Sequence, residues 1–258
     1  MHLLYSSLLA LAALGANAAP SRAPLRRDAT ALSSDELAAF APFTQFARAA
    51  YCPSDKIQGW QLSVLTDIEV LRRGLNTTLF PGVSSDVSAH SGFADEHEKT
   101  ASTVLAETQR LIASKGADSV LLIGHSLGGA LAELDSLFMT LNLPSNIHVK
   151  GVTYGTPRVG NSAYVSLFDS KVPDFTRINN EEDVVPIVPG RFLGFEHVHG
   201  EVHLVSPGNA VACSGDDDAT DAQCTISTVP DVPLVPVSNI LDHLGPYEGI
   251  ELGTLACN

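Results

Sequence analysis

Ser126 stands in Gly124-His125-Ser126-Leu127-Gly128, directly after the apolar run Val120-Leu121-Leu122-Ile123 and directly before Gly129-Ala130-Leu131-Ala132. A serine hydroxyl is a poor nucleophile until the backbone presents it to a base, and a sharp strand-to-helix turn does that. The same turn aims the Leu127 N–H, at the positive end of the following helix, at an oxyanion forming on a carbonyl carbon. The spacing therefore predicts a nucleophile elbow, with Gly124 and Gly128 placed where side chains would crowd the turn. A glycine-rich linker explains the glycines less well, because strand and helix signals flank them. A phosphate-binding loop would need a lysine after the glycines, and none follows.

Such a serine needs a base to take its proton and an acid to orient and charge the base. The chain order for this kind of turn is nucleophile, acid, base. Asp183 follows the strand-like Thr176–Asn179 and is the candidate acid; Glu181, Glu182 and Asp174 are its rivals, and Asp135 lies on the nucleophile helix itself. Five histidines follow Ser126. His148 precedes the acid. His197, His199 and His203 alternate in what reads as a hairpin, and three imidazoles without a fixed cysteine or carboxylate partner make a poor metal site. His243, in Leu241-Asp242-His243-Leu244, comes late after a Pro-rich extended stretch at 229–236 and is the candidate base. His125 reads as a packing residue of the turn. The acidic Asp216-Asp217-Asp218 lacks a full calcium-ligand series and reads as a solvated loop. This chemistry calls for no cofactor and no metal.

The elements that must position these groups alternate. Ser33-Ser34-Asp35-Glu36 opens a helix with a capping box, carried by Leu37, Phe40, Thr44 and Ala47 to about Tyr51. From Ala94 to Ser114, Ala101, Val104, Leu105, Leu111 and Ile112 form one stripe of a helix closed by Gly116. A strand at 119–123, a helix to about Leu141, a strand at 148–154, a helix at 162–170 and a strand at 176–179 follow. Strands alternating with helices imply crossover units, and hence an α/β fold with a mainly parallel sheet flanked by helices. In such sheets the chemistry sits at the C-terminal ends of the strands.

The ends and the bulk composition fix the setting. Leu3 to Leu14 is apolar but too short to span a bilayer, and Ala16-Asn17-Ala18 is a small-x-small cleavage pattern, so residues 1–18 read as a signal peptide. Residues 19–27 end in Arg26-Arg27 and read as a pro-segment, leaving 28–258 as one domain of ordinary size. No later run is long and apolar enough to cross a membrane. The expected product is a secreted, extracellular monomer. The formal net charge of −14 argues against nucleic acid and against charge-driven binding to anionic membranes. Four cysteines in an exported chain suggest two disulfides with three possible pairings. Cys213 and Cys224 bracket the acidic loop as a local staple, leaving Cys52 and Cys257 to tie the N-terminal helix to the last residues. Asn76-Thr77-Thr78 is an N-glycosylation sequon suited to a surface loop.

Gly124 to Gly129, Tyr154-Gly155-Thr156-Pro157-Arg158-Val159-Gly160-Asn161, Asn180 to Pro189, and Leu241-Asp242-His243 together resemble the secreted fungal class 3 lipases from about Ser33 onward. That resemblance implies an α/β-hydrolase fold and hydrolysis of triacylglycerol. It implies Ser126 as nucleophile, Asp183 as acid, His243 as base, Leu127 N–H as an oxyanion donor, and a Cys52–Cys257 disulfide. The substrate so implied is a lipid or small ester, with a feruloyl or other carboxylesterase as the alternative on the same site. One departure stands out. The family has further strands between its counterpart of Trp60 and the segment resembling Leu65-Thr66-Asp67-Ile68-Glu69, one ending in the Gly-Thr or Gly-Ser that gives the second oxyanion donor, followed by a lid helix. Here Gln61 runs straight into Leu62, and a crossover unit alone needs about 30 residues. The comparison implies an incomplete sheet, half an oxyanion hole and no lid, so a truncated, non-catalytic form is the other alternative.

Overall fold

The computed structural model describes residues 29–51, 71–217, 221–229 and 241–253. In chain order these form β1 (Thr30–Ala31), α1 (Ser34–Ala38), α2 (Ala41–Ala49), β2 (Arg72–Gly74), β3 (Ser88–His90), α3 (Ser91–Lys115), β4 (Ser119–His125), α4 (Leu127–Asn142), β5 (His148–Tyr154), α5 (Ser162–Lys171), β6 (Phe175–Asn180), β7 (Glu201–Ser206), β8 (Asn209–Ala212) and α6 (Thr225–Thr228). The main sheet has the order β1-β8-β7-β6-β5-β4. Its β4, β5, β6 and β7 run parallel, while β8 and β1 add an antiparallel end. The α/β fold with a mainly parallel, helix-flanked sheet is therefore as expected.

Alternation along the strands sends side chains to two cores. On one face Val149 and Phe175 pack with Phe93 of α3, Leu134, Leu137 and Phe138 of α4, and Tyr164 and Phe168 of α5. On the other, Val152, Tyr154 and Ile178 meet Leu37 of α1, Ala47 of α2, Tyr247 and Leu252. Among the described residues β4 is the last strand on its side, and Leu121 on it is 40 % exposed.

Several local expectations hold, and others are corrected. Ser33 and Glu36 make the reciprocal capping box, and Gly116 closes α3 at φ +65°. The N-terminal helix is two helices, because Pro42 opens a new one after Ala39-Phe40. The buried stripe of α3 is Phe93, Ala94, His97 and Ala101, with Val104 and Leu111 facing water. Leu105 and Ile112, further along the helix, also pack on the core, half-buried. The segment from His197 to His203 is not a hairpin: β7 starts at Glu201, continues the parallel ladder beside β6, and turns back only at Pro207-Gly208 into β8.

The Cys213–Cys224 disulfide is present. Cys52 and Cys257, Asp218 and most of the 229–236 stretch lie outside the described residues. Asn76 sits in a partly exposed turn, its Oδ1 accepting the Thr78 N–H at 3.0 Å.

Candidate active site

Ser126 occupies the single-residue corner between β4 and α4, with φ 57° and ψ −128°. A side-chain-bearing residue holds so strained a conformation, worth about 1–3 kcal/mol, only where its surroundings over-determine it. Two bonds do so here: the Ser126 N–H donates to Tyr154 O at 2.9 Å, extending the parallel ladder, and Ser126 O accepts from Gly129 N at 2.9 Å, opening the helix. The Leu127 N–H is the first helical donor and has no carbonyl partner inside the helix. Gly124 is required, since a Cβ there would lie 2.0 Å from Gly128 O. At Gly128 a Cβ would meet nothing within 4 Å, so its expected crowding is corrected: Gly128 contributes a carbonyl pressed against Gly124.

Asp183 follows β6 and is fully buried. Its Oδ1 accepts the Val185 N–H at 2.9 Å, and its Oδ2 lies 2.8 Å from Nδ1 of His243. A carboxylate on Nδ1 fixes the tautomer and leaves Nε2 as the nitrogen free to take a proton. The His243 side chain keeps 12 % exposure. Its loop is tied to the acid's loop twice: Asn180 Nδ2 donates to Asp242 O at 2.9 Å, and Glu182 N to Asp242 Oδ2 at 3.3 Å. Asp242 thus serves as a clasp that sequence reasoning gave no role.

The rival groups lie elsewhere. Asp174 pairs with His148 at 2.8 Å and Lys150 at 3.1 Å, at the opposite end of the strands. Asp135 lies 3.0 Å from His97, and Glu182 is exposed. The three alternating histidines turn their Nε2 atoms to main-chain oxygens, His197 to Pro186, His199 to Val172 and His203 to Glu181. They diverge, and none faces a shared point.

His125 is buried and packs the turn as expected. Its ring lies 4.4 Å from that of His243, and its Nε2 donates to His243 O at 2.7 Å. Burial, then the neighbouring His243, pushes its pKa down to about 3. Gly155 was missed as a site residue. At φ +50° after β5, it has a Cβ position 2.7 Å from both Asp183 Oδ2 and His243 Nδ1. Only a residue without a side chain lets Asp183 and His243 meet there. The motif Tyr154-Gly155-Thr156 carried that signal. The acidic loop is also not merely solvated: Asp217 is buried and pairs through both oxygens with buried Arg158, whose Nη2 lies 3.0 Å from Oδ1.

With this geometry in view, comparison with known proteins is specific. The family described as Lipase (class 3) matches residues 58–193. A lipase of Rhizomucor miehei is 31% identical over 178 residues, covering 67% of this chain and 46% of that protein. A secreted mono- and diacylglycerol lipase of Malassezia restricta is 30% identical over 149 residues, 57% and 47% of the two chains. The chain thus spans about half the length of these curated relatives. The structure of lipase II from Rhizopus niveus superposes with a TM-score of 0.69 at 22% identity, over 88% of this chain and 99% of that one. A triacylglycerol lipase described as having a serine-protease triad at its catalytic centre gives 0.61 at 29% identity, over 74% and 68%. The fold is that of the α/β hydrolases, and the chain belongs to the class 3 lipase family.

Proposed function

We propose that this chain is a secreted serine acyl-ester hydrolase acting on glyceride esters. The observation that carries the reading is the 2.8 Å contact of His243 Nδ1 with buried Asp183 beside the strained Ser126 corner. Ser126 Oγ attacks the ester carbonyl as His243 Nε2 takes its proton, and Asp183 stabilises the imidazolium. The negative charge moves to the carbonyl oxygen, where the Leu127 N–H donates to it. Collapse of that intermediate expels the alcohol, which receives the proton from His243. A water activated by the same imidazole then frees the acid and restores Ser126. The leader-like pattern of residues 1–18 and the secreted name of the Malassezia relative support export.

A second reading keeps the fold and removes the activity. It is favoured by the terminal position of β4 among the described residues, with Leu121 half in water, and by the short span relative to the relatives. Losing one of two oxyanion donors costs about 10²–10³ in kcat. Hydrolysis of short- and long-chain p-nitrophenyl esters, beside Ser126→Ala, decides. Activity lost in the variant by a factor on the order of 10⁴ or more supports the triad, and the chain-length profile separates lipase from small-ester esterase. A folded, inactive parent supports the second reading. Equal activity in parent and variant refutes the role of Ser126.

A further inference from the structure

His243 is held at its main chain as well as at its ring. Two side chains donate to its carbonyl oxygen, His125 through Nε2 at 2.7 Å and Tyr247 through its hydroxyl at 3.3 Å. An oxygen fixed from two directions keeps the backbone from sliding, and the imidazole it carries then keeps its place against Asp183. The shorter of the two bonds depends on a further group. A neutral imidazole has one N–H, so a ring that donates from Nε2 accepts at Nδ1. Burial, then the neighbouring His243, pushes the His125 pKa down to about 3, so the ring is neutral at neutral pH. The Tyr51 hydroxyl lies 2.5 Å from that Nδ1, with the two rings edge-on at 5.5 Å, and is its donor.

Helix α2 places that hydroxyl. Tyr51 follows the helix, and its N–H still donates to Arg48 O at 3.0 Å, so it continues the last turn. Residues 44, 47 and 51 share one helical face, and Thr44 and Ala47 are the buried residues of α2. Two turns before Tyr51 the same face reaches the segment of His243 again. Thr44 Oγ1 bonds to Glu248 Oε2, five residues past His243, and to the Tyr154 hydroxyl at 2.9 Å. Tyr154 in turn packs edge-on against buried Tyr247 at 5.3 Å. Thus α2 grips the segment from His243 to Glu248 at two levels. Burial pushes the Tyr51 phenol up to about 12, which keeps it a donor through the neutral range.

We infer that Tyr51 is a positioning residue for His243: its O–H holds His125 in the Nε2–H tautomer, and His125 fixes the main chain from which His243 meets Asp183. The inference rests on the hydrolase reading above. Without the hydroxyl, a buried imidazole nitrogen loses its donor. The ring relieves that loss by turning or by taking the other tautomer, and either change withdraws the donor from His243 O. The effect falls on alignment of the base in the reacting complex, and so on kcat rather than on KM for a small ester.

The test is a double-mutant cycle on the chain as secreted from an expression host, with dissolved p-nitrophenyl butyrate as substrate and circular dichroism to show folding. Tyr51→Phe is expected to lower kcat about 10-fold, the scale of one buried hydrogen bond, and to leave KM within a factor of about two. His125→Gln supplies an amide donor that needs no partner hydroxyl. In that background Tyr51→Phe is expected to cost nothing further. Nitrogen-15 spectra of the histidine rings read the link without turnover: the His125 Nδ1 and His243 ring resonances both move in Tyr51→Phe. The proposal is overturned if Tyr51→Phe keeps the parent kcat, if it costs the same in both backgrounds, or if those resonances stay in place. A folded parent without activity refutes the hydrolase reading instead, and the spectra alone then decide whether Tyr51 positions His243.

Discussion

His125 holds His243 by two contacts at once, a ring 4.4 Å away and an Nε2–H donated to the main-chain oxygen at 2.7 Å. Because Nε2 must donate, Nδ1 is the acceptor, and it lies 2.5 Å from the Tyr51 hydroxyl. The residue beside the proposed nucleophile is thus the support of the proposed base. His125→Phe keeps a ring and removes the donor, leaving a buried carbonyl poorly satisfied, and is expected to cost about 1–3 kcal/mol in urea unfolding. The pH dependence has a defined sign. The folded His125 titrates near 3 and an unfolded histidine near 6.5, so the unfolded state binds the extra proton between them. Stability falls as pH drops from about 6.5 towards 3, and the fall is shallower in His125→Phe.

Gly155 sets the distance between Asp183 and His243, the proposed acid and base. A methyl group there would sit 2.7 Å from both Asp183 Oδ2 and His243 Nδ1, on a backbone at φ +50°. Gly155→Ala is expected to push the pair apart and lower kcat about 10²-fold, the scale for an ångström of misplacement. KM for a dissolved ester should change little. Kinetics with wild-type activity would show that the pair has room to move.

Glu133 lies wholly inside, on α4, with Oε2 lacking a hydrogen-bond partner among the described residues. Burial raises its pKa to about 8, against the opposing pull of Arg177. The folded state therefore retains a proton that the unfolded state releases above about 4.5. Stability from this group is present below that pH and is lost as pH rises towards 8. Glu133→Gln is expected to flatten that decline in melting temperature between about pH 4.5 and 8. An unchanged slope would mean that another group carries it.

Arg158 and Asp217 form a pair almost without solvent, at 1% and 9% side-chain exposure. Arg158 also donates to the main-chain oxygens of Ile187 and Pro189, joining the segment after β5, the acid's loop and the disulfide loop. Asp217→Asn removes the charge that offsets a buried guanidinium. It is expected to destabilise by about 3–5 kcal/mol in denaturant unfolding. Arg158→Lys should recover little, since one ammonium cannot reproduce a forked set of donors.

The nucleophile turn was legible because everything that makes it is local. Strand residues, a close-approach glycine, the serine and a helix start lie within about a dozen positions, and β5 falls at the residues its pattern predicts. The capping box at Ser33 and the left-handed stop at Gly116 are equally local. Chain order narrowed the candidate acid and base to Asp183 and His243, though 60 residues separate them. What could not be read were the meetings. The β1–β8 pairing spans two residues, and the hairpin of β7 and β8 begins where alternation alone suggested its middle. Val104 and Leu111 keep helical spacing yet face water, while Leu105 and Ile112 beside them pack on the core. Asp217 looked solvated because its partner lies 59 positions earlier in sequence. By itself the sequence determined the family's motifs, the crossover architecture and the candidate reactive groups, since these follow from short-range stereochemistry and chain order. Only the tertiary structure decided that Gly155 lets Asp183 and His243 touch, that His125 supports His243, and that Phe192 is left in water. Those depend on which surfaces meet once the sheet has closed over its helices, and no local window contains that information.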